Sequence, residues 1–202
     1  MARRSDHTPE ALRKLILDAA EAIVAADGLA ALTARGIATR IGYSPGTIYH
    51  LFSSLDDVVL HLEARVLERL EAALRALPPP KDPKTGLKAL AAAYLAFTLA
   101  NRKLWGMLFE HALPNGIDTP DWYAERLGRL LAVLEEALQP FFRAERAAER
   151  IRAARVLWAS VHGIVSLSVA DKLTNVTTDT AGELIDDLLT TYIAGIARRR
   201  HP

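Results

Sequence analysis

The chain contains no cysteine. That absence excludes disulfides, zinc–thiolate sites and cysteine nucleophiles, and nothing in the composition argues for an oxidising compartment. Long hydrophobic runs are missing too. The most apolar windows, 89–100 and 156–170, are bounded by charged or polar residues and fall short of the roughly 20 residues a bilayer-spanning helix requires. They read as buried helices. The opening MARRSDHTPE carries arginines but no apolar run behind them, so no secretory signal is expected and the cytoplasm is the expected location, with no membrane partner. Neither sign of charge dominates. Lys plus Arg number 25 against 24 for Asp plus Glu, so any argument for a nucleic-acid partner has to be local. No Glu is followed three residues later by His, and no His pair is spaced four apart, which argues against a helical-bundle metal enzyme. No metal site and no cofactor is expected.

Half of the 202 residues are apolar, enough for a substantial core. The apolar positions recur with a helical period, and no convincing alternating strand pattern or repeat is found, so the fold class is all-α. Leu12, Leu15, Ile16, Ala19, Ile23 and Val24 form the stripe of a first helix that runs to Asp27 and is expected to stop at Gly28 in a left-handed cap. Thr33 is an N-cap for a short second helix ending at Gly42, and Ser44-Pro45 opens a third that ends near Phe52. A fourth helix is expected from about Ser54 to Leu77. Pro78-Pro79-Pro80 with Lys81-Asp82-Pro83 then make the strongest boundary in the sequence. Further helices are predicted near 83–100, 102–111, 120–142, 145–173 and 180–199. Breaks fall at Pro114-Asn115-Gly116, around Pro140, and between Thr174 and Asp179, and a capping box spans Thr180 to Glu183.

The stretch GYSPG, Gly42 to Gly46, fits the G-x-S-x-G pattern of hydrolase nucleophile elbows. Such an elbow needs a strand before the serine and a backbone N–H on the residue after it. Here a short helix precedes Ser44 and Pro45 follows it, so both requirements fail. Two short helices joined by a glycine turn instead read as a helix-turn-helix, with Ile37, Ile41 and Ile48 facing one another and small Ala38 permitting close approach. Ser44 is then an N-cap. The second member presents Thr47, Tyr49 and His50 where base and phosphate contacts are made.

The run LTARGIATRIGYSPGTIYHLFSSLDDVVLHL, residues 32–62, resembles the DNA-binding motif of the TetR/AcrR family of bacterial transcriptional regulators. The resemblance implies an all-helical homodimer whose N-terminal domains bind a palindromic double-stranded DNA operator, and whose larger C-terminal domain binds a small-molecule effector that alters the spacing of the recognition helices. Carried over by residue, Thr33 matches a phosphate contact and Arg40 lies near the end of its helix. Tyr43, Ser44, Pro45, Gly46 and Thr47 match the turn and the groove-facing start of the recognition helix, and Tyr49 and His50 match phosphate-contacting positions. The chain departs from many members at Leu55, where a lysine anchor is common. Residues 1–55 hold only Arg3, Arg4, Arg13, Lys14, Arg35 and Arg40 against five acids, so Arg3 and Arg4 are expected to supply part of the attraction to DNA. The expected organisation is a DNA-binding domain over 1–55, a connecting helix and linker over 56–82, and an effector-binding and dimerisation domain over 83–202.

Most aromatic residues lie in that last region, where they serve either as core or as a ligand box. Trp158, His162 and Ser166 are four apart and share one helix face. The segment resembles the Trp-His-Gly stretch of one C-terminal subtype of TetR-like regulators, with Val161-His162-Gly163 in register. His162 lines a pocket and bonds a ligand, or is a satisfied core or dimer-interface histidine; both readings stand. The candidate effector set is Tyr94, Phe97, Trp105, Trp122, Trp158 and His162, suited to a hydrophobic or aromatic molecule. His111, beside Glu110 at a helix end, caps the last carbonyls or borders the pocket, and capping is the favoured reading. The last two helices are expected to form the dimer interface through Leu184, Leu188, Tyr192 and Gly195 with Gly163 and Leu167. Arg198-Arg199-Arg200 favour a helix C-terminus. The leading expectation is a ligand-responsive repressor, against an architectural DNA binder with no effector.

Overall fold

A computed structural model describes residues 7–114 and 118–198. The expectations placed on Arg3, Arg4, Asn115, Gly116, Arg199 and Arg200 lie outside them. The described residues form helices α1 (Pro9–Asp27), α2 (Ala34–Ile41), α3 (Pro45–Tyr49), α4 (Leu55–Arg75), α5 (Pro83–Ala100), α6 (Arg102–Glu110), α7 (Asp121–Leu138), α8 (Ala147–Val169) and α9 (Ala181–Arg198), and no strand. No helix among them is long and apolar enough to cross a membrane.

Helix starts follow side chains that satisfy the first N–H groups. The Thr8 hydroxyl accepts from Ala11 N–H at 3.2 Å, Thr33 from Gly36 N–H at 3.0 Å and Ser54 from Asp57 N–H at 3.0 Å. At α9 the box closes reciprocally: Thr180 N–H donates to Glu183 Oε2 at 2.7 Å, and Glu183 N–H to Thr180 Oγ1 at 3.2 Å. Thr33→Ala should therefore lower stability by about 1 kcal/mol, whereas Ser44→Ala should cost well under that, because the Ser44 hydroxyl caps no N–H. Urea denaturation of the two variants, followed by circular dichroism, tests the difference; equal losses would contradict it.

The ends are less regular than the sequence predicts. Gly28 holds φ 86° but ψ 173°, a mirror-extended conformation rather than the expected left-handed helical cap, while its N–H still reaches Val24 O at 2.8 Å. The predicted 120–142 segment becomes α7 followed by a 3-10 turn over Gln139–Phe141, where Pro140 has no N–H for an α-helical bond. The predicted 145–173 segment stops at Val169. Asp171 is left-handed at φ 54°, and Lys172 N–H bonds back to Leu167 O at 2.8 Å, closing the helix without a glycine.

The chain divides into two compact units, residues 7–66 with 101–124 and residues 67–100 with 125–198. This division differs from the expected boundaries at 55 and 82. Helix α6 joins the first unit because its buried Leu104, Trp105 and Met107 form an apolar face against α1. Lys103 Nζ donates to the carbonyl of Ala26 at the end of α1. The triple proline belongs to the second unit, as a turn between α4 and α5.

The core of the first unit is built from Ile16, Ala20 and Val24 of α1, Ile37 and Ala38 of α2, Ile48 of α3 and Val58 of α4, all fully buried. In the second unit α5, α8 and α9 pack on one another through Leu87, Leu157, Val165 and Leu189. Each such aliphatic side chain contributes about 1.5–3 kcal/mol by leaving water.

Candidate nucleic-acid interface and an apolar cavity

The first unit holds the helix-turn-helix. Gly42 ends α2 in the left-handed conformation, φ 75° and ψ 28°, and Tyr43 N–H folds back to Ala38 O at 3.0 Å. A side chain with a Cβ is strained at that φ, so the tight turn depends on glycine. Tyr43 Oη then bonds His7 Nδ1 at 2.8 Å, tying the turn to the segment that precedes α1. Ser44 is extended and Pro45 occupies the first helical position of α3, but the serine hydroxyl meets Thr47 Oγ1 at 3.1 Å rather than a backbone N–H. The expected side-chain cap is absent because Thr47 N–H bonds the Ser44 carbonyl at 3.0 Å.

Helix α3 has only five residues, too few to be stable in isolation. It is held from beneath. Ile48 is fully buried, and Phe52, just past the helix, is 2 % exposed. The Arg13 guanidinium lies 4.4 Å over the Phe52 ring, and its Nη2 donates to Leu51 O at 2.5 Å. The His61 ring meets Phe52 edge-on at 5.5 Å. With the inward face fixed, Pro45, Gly46, Tyr49 and His50 face solvent, and Thr47 is half-buried. Thr33 and Arg40 are exposed at the two ends of α2. All nine residues predicted to meet DNA therefore belong to one unit, around one short polar helix.

The cations of α1 are largely committed elsewhere. Lys14 pairs with Asp18 at 2.6 Å, and Arg65 reaches the other oxygen of Asp18 at 2.8 Å. Together they hold the Asp18 carboxyl below the usual range. The local footprint is weakly basic, as the residue count implies.

One cluster of the first unit was not anticipated. Glu63 on α4 is 3 % exposed, and its Oε1 lies 2.9 Å from His111 Nδ1; the other ring nitrogen of His111 lies 3.3 Å from Asp56. The Tyr123 hydroxyl also bonds Glu63. Burial raises the Glu63 carboxyl pKa, outweighing the opposing bonds from Tyr123 and His111, and raises that of the Tyr123 phenol. His111, just past the end of α6, thus ties that end to α4 through both ring nitrogens instead of capping α6 with its ring. Glu63 sits four residues after Val59 and seven before Leu70, both buried: an acid in an apolar stripe, which was the available signal. Among the described residues, no group of three or more His, Asp and Glu is placed to hold a metal ion.

The predicted effector residues separate. Trp105 and Trp122 lie in the first unit. Trp105 is buried against Phe109, with ring centroids 5.7 Å apart, and Trp122 stacks on His61 at 4.7 Å with planes 11° apart. In the second unit is an apolar cavity of about 70 Å³, walled by nine leucines, two valines, an alanine, Tyr94 and Trp158. Phe97 and His162 are not among its lining residues. His162 instead stands behind the wall. Its Nδ1 is 2.8 Å from Tyr94 Oη, its Nε2 is 3.0 Å from Ser166 Oγ, and its ring stacks on Trp158 at 5.2 Å with planes 4° apart. Burial lowers the His162 pKa, which favours the neutral ring at physiological pH.

On the outer side of α8, Val156 and Leu167 are 44 % and 37 % exposed, and Gly163 between them has open space where a Cβ would stand. The positions lie 7 and 4 residues apart, on one helical face. On α9, Gly195 is similarly open beside half-buried Tyr192.

Residues 16–62 match the family described as bacterial regulatory proteins, tetR family, and residues 87–192 match the tetracyclin repressor-like C-terminal domain. An uncharacterised HTH-type transcriptional regulator of Mycobacterium tuberculosis is 22 % identical over 93 % of this chain and 82 % of its own length. A protein of unknown function from Rhodococcus sp. RHA1 has a similar structure, with a TM-score of 0.73 at 25 % identity, covering 96 % of this chain and 99 % of that one. A transcriptional regulator of Streptomyces coelicolor, itself a TetR, gives 0.69 at 19 % identity over 94 % and 99 %. A TetR variant from Acinetobacter baumannii, solved in complex with minocycline, gives 0.63 at 21 % identity over 93 % and 97 %.

Proposed function

Since the chain belongs to the TetR family of bacterial regulatory proteins, DNA-binding transcriptional regulators rather than enzymes, we propose that it is a ligand-responsive repressor that binds a palindromic operator as a homodimer. The observation that carries this reading is α3, pinned from inside by Ile48 and Phe52 while Gly46, Tyr49 and His50 face solvent. Thr47, at the groove-facing start of α3, reads base edges in the major groove, and Thr33, Arg40, Tyr43, Tyr49 and His50 hold phosphates and set register. Two copies joined through the exposed α8 and α9 faces would present paired α3 helices, so the symmetry of the operator mirrors that of the dimer. The minocycline complex of the Acinetobacter relative supports a small-molecule effector. Tyr94 and Trp158 are the wall residues that would meet it, with His162 as their positioning residue. The stacked Trp158–His162 pair supports the Trp-His-Gly subtype. Work on an operator places the protein in the cytoplasm.

The test is binding of the purified chain to DNA flanking its own gene, with a footprint and a salt titration. A dyad-symmetric footprint is expected. Thr47→Ala should weaken specific binding by about 1–3 kcal/mol while leaving non-specific binding and its salt slope nearly unchanged, whereas His50→Ala should weaken binding to all sequences about equally. Uniform weakening by Thr47→Ala would instead move Thr47 to the phosphate-contacting set, and no footprint would retire the reading.

A further inference from the structure

We propose that the effector is an uncharged molecule with a slender aliphatic body and one hydrogen-bond acceptor, of the acyl ester or amide class, seated in the leucine-walled cavity of the second unit with its carbonyl on the indole N–H of Trp158. The proposal rests on the ligand-responsive reading above and narrows it.

Three observations carry the class. None of the fourteen lining residues is charged, so a carboxylate or an ammonium group entering the cavity would lose its hydration with no counter-charge to meet it. The expectation of a hydrophobic molecule thus sharpens into one without a charge. Twelve of the fourteen are aliphatic, which fits methylene groups better than a flat ring system. The volume agrees: about 70 Å³ is roughly half the 150 Å³ or so of an engineered cavity that admits benzene. A narrow, flexible chain can enter by parting leucine side chains, whereas a rigid multi-ring body demands the whole space at once.

The polar atoms decide the rest. Among the described residues that line the cavity, Tyr94 and Trp158 are the ones whose side chains carry a hydrogen-bonding atom. The Tyr94 hydroxyl is engaged by His162, whose neutral ring is in turn held by Ser166. The indole N–H of Trp158 is buried and has no hydrogen-bond acceptor among the described residues. A buried donor without an acceptor is uncommon in folded proteins, and an incoming carbonyl oxygen supplies what it lacks. The Trp158 ring stacks on His162 while the same residue lines the cavity, which places the acceptor at the indole edge.

The experiment uses the full chain with methyl hexanoate, hexanoate and hexane as probes near neutral pH. Affinity is read by calorimetry, thermal stability by scanning and operator release by gel shift. Methyl hexanoate should bind, raise Tm and release the operator, and hexanoate should bind at least ~10-fold more weakly, the loss expected for burying its charge unpaired. Trp158→Phe keeps an aromatic ring, though a smaller one, and removes the donor. It should lose ~10-fold for the ester and little for hexane, the retained hexane affinity confirming an intact cavity. Equal binding of ester and carboxylate, an ester affinity indifferent to Trp158→Phe, or no binding by any probe would overturn the class. If the ester binds with the expected Trp158 dependence yet leaves the operator bound, the class stands and the release mechanism falls.

Discussion

Phe52→Ala is expected to destabilise the first unit by about 3–5 kcal/mol and to abolish specific operator binding. The ring is 2 % exposed, covered by the Arg13 guanidinium on one side and the edge of His61 on another. Truncation opens a large void and removes the partner over which Arg13 is held while it donates to Leu51 O. Helix α3 is especially vulnerable. Five residues cannot sustain a helix on propensity, and Ile48 would remain as its one fully buried side chain. Against a total stability of roughly 5–15 kcal/mol, the loss is large enough for α3 to lose its fixed orientation below the global melting temperature. Phe52→Leu retains most of the volume and should cost markedly less, with partial operator binding. Urea denaturation followed by circular dichroism, together with gel shift on the footprinted operator, separates the two variants. An unchanged midpoint for Phe52→Ala would mean that α3 is held by something other than the packing described above.

The helix-turn-helix was legible in the sequence because its boundaries are punctuated by residues with one dominant conformational use: Thr33 before α2, Gly42 after it, Pro45 at the start of α3. The same holds for Thr180 and Glu183 at α9. Where punctuation is absent, prediction overran. Asp171 takes a left-handed conformation that asparagine and aspartate tolerate without advertising it, so α8 ends earlier than its apolar pattern implies. Partnership was harder to read than boundaries. The periodicity of 102–110 announces a buried face but not the surface that buries it, and that surface is α1 rather than the later helices. Trp105 is enclosed and Trp122 half-buried against His61, both among residues of the first unit and away from the cavity. Likewise the spacing of Trp158, His162 and Ser166 correctly put them on one helix face, while only coordinates reveal that His162 acts behind the wall.

Glu63→Ala should cost about 3–5 kcal/mol, since deleting one member of a buried polar network leaves its partners desolvated. The carboxyl serves two groups: it receives a hydrogen bond from the Tyr123 hydroxyl, and its Oε1 lies 2.9 Å from His111 Nδ1. Both partners would remain in the space it vacates. Glu63→Gln keeps the shape and an acceptor oxygen and should cost much less, with a pH dependence whose sign follows from burial. Because the folded protein raises the Glu63 pKa above its ordinary value, the contribution of the carboxyl to stability is complete below about pH 4.3, the free-residue value. It declines as pH rises through the higher folded value, where ionisation must occur inside the protein. Glutamine never ionises. The stability of Glu63→Gln relative to the parent chain should therefore improve between about pH 4.3 and 7, while the alanine variant stays strongly destabilised throughout. Denaturation midpoints for the three proteins across that range decide the matter. A glutamine variant that instead loses ground as pH rises would show that the charged carboxylate, stabilised by His111 and Tyr123, is the form the fold prefers.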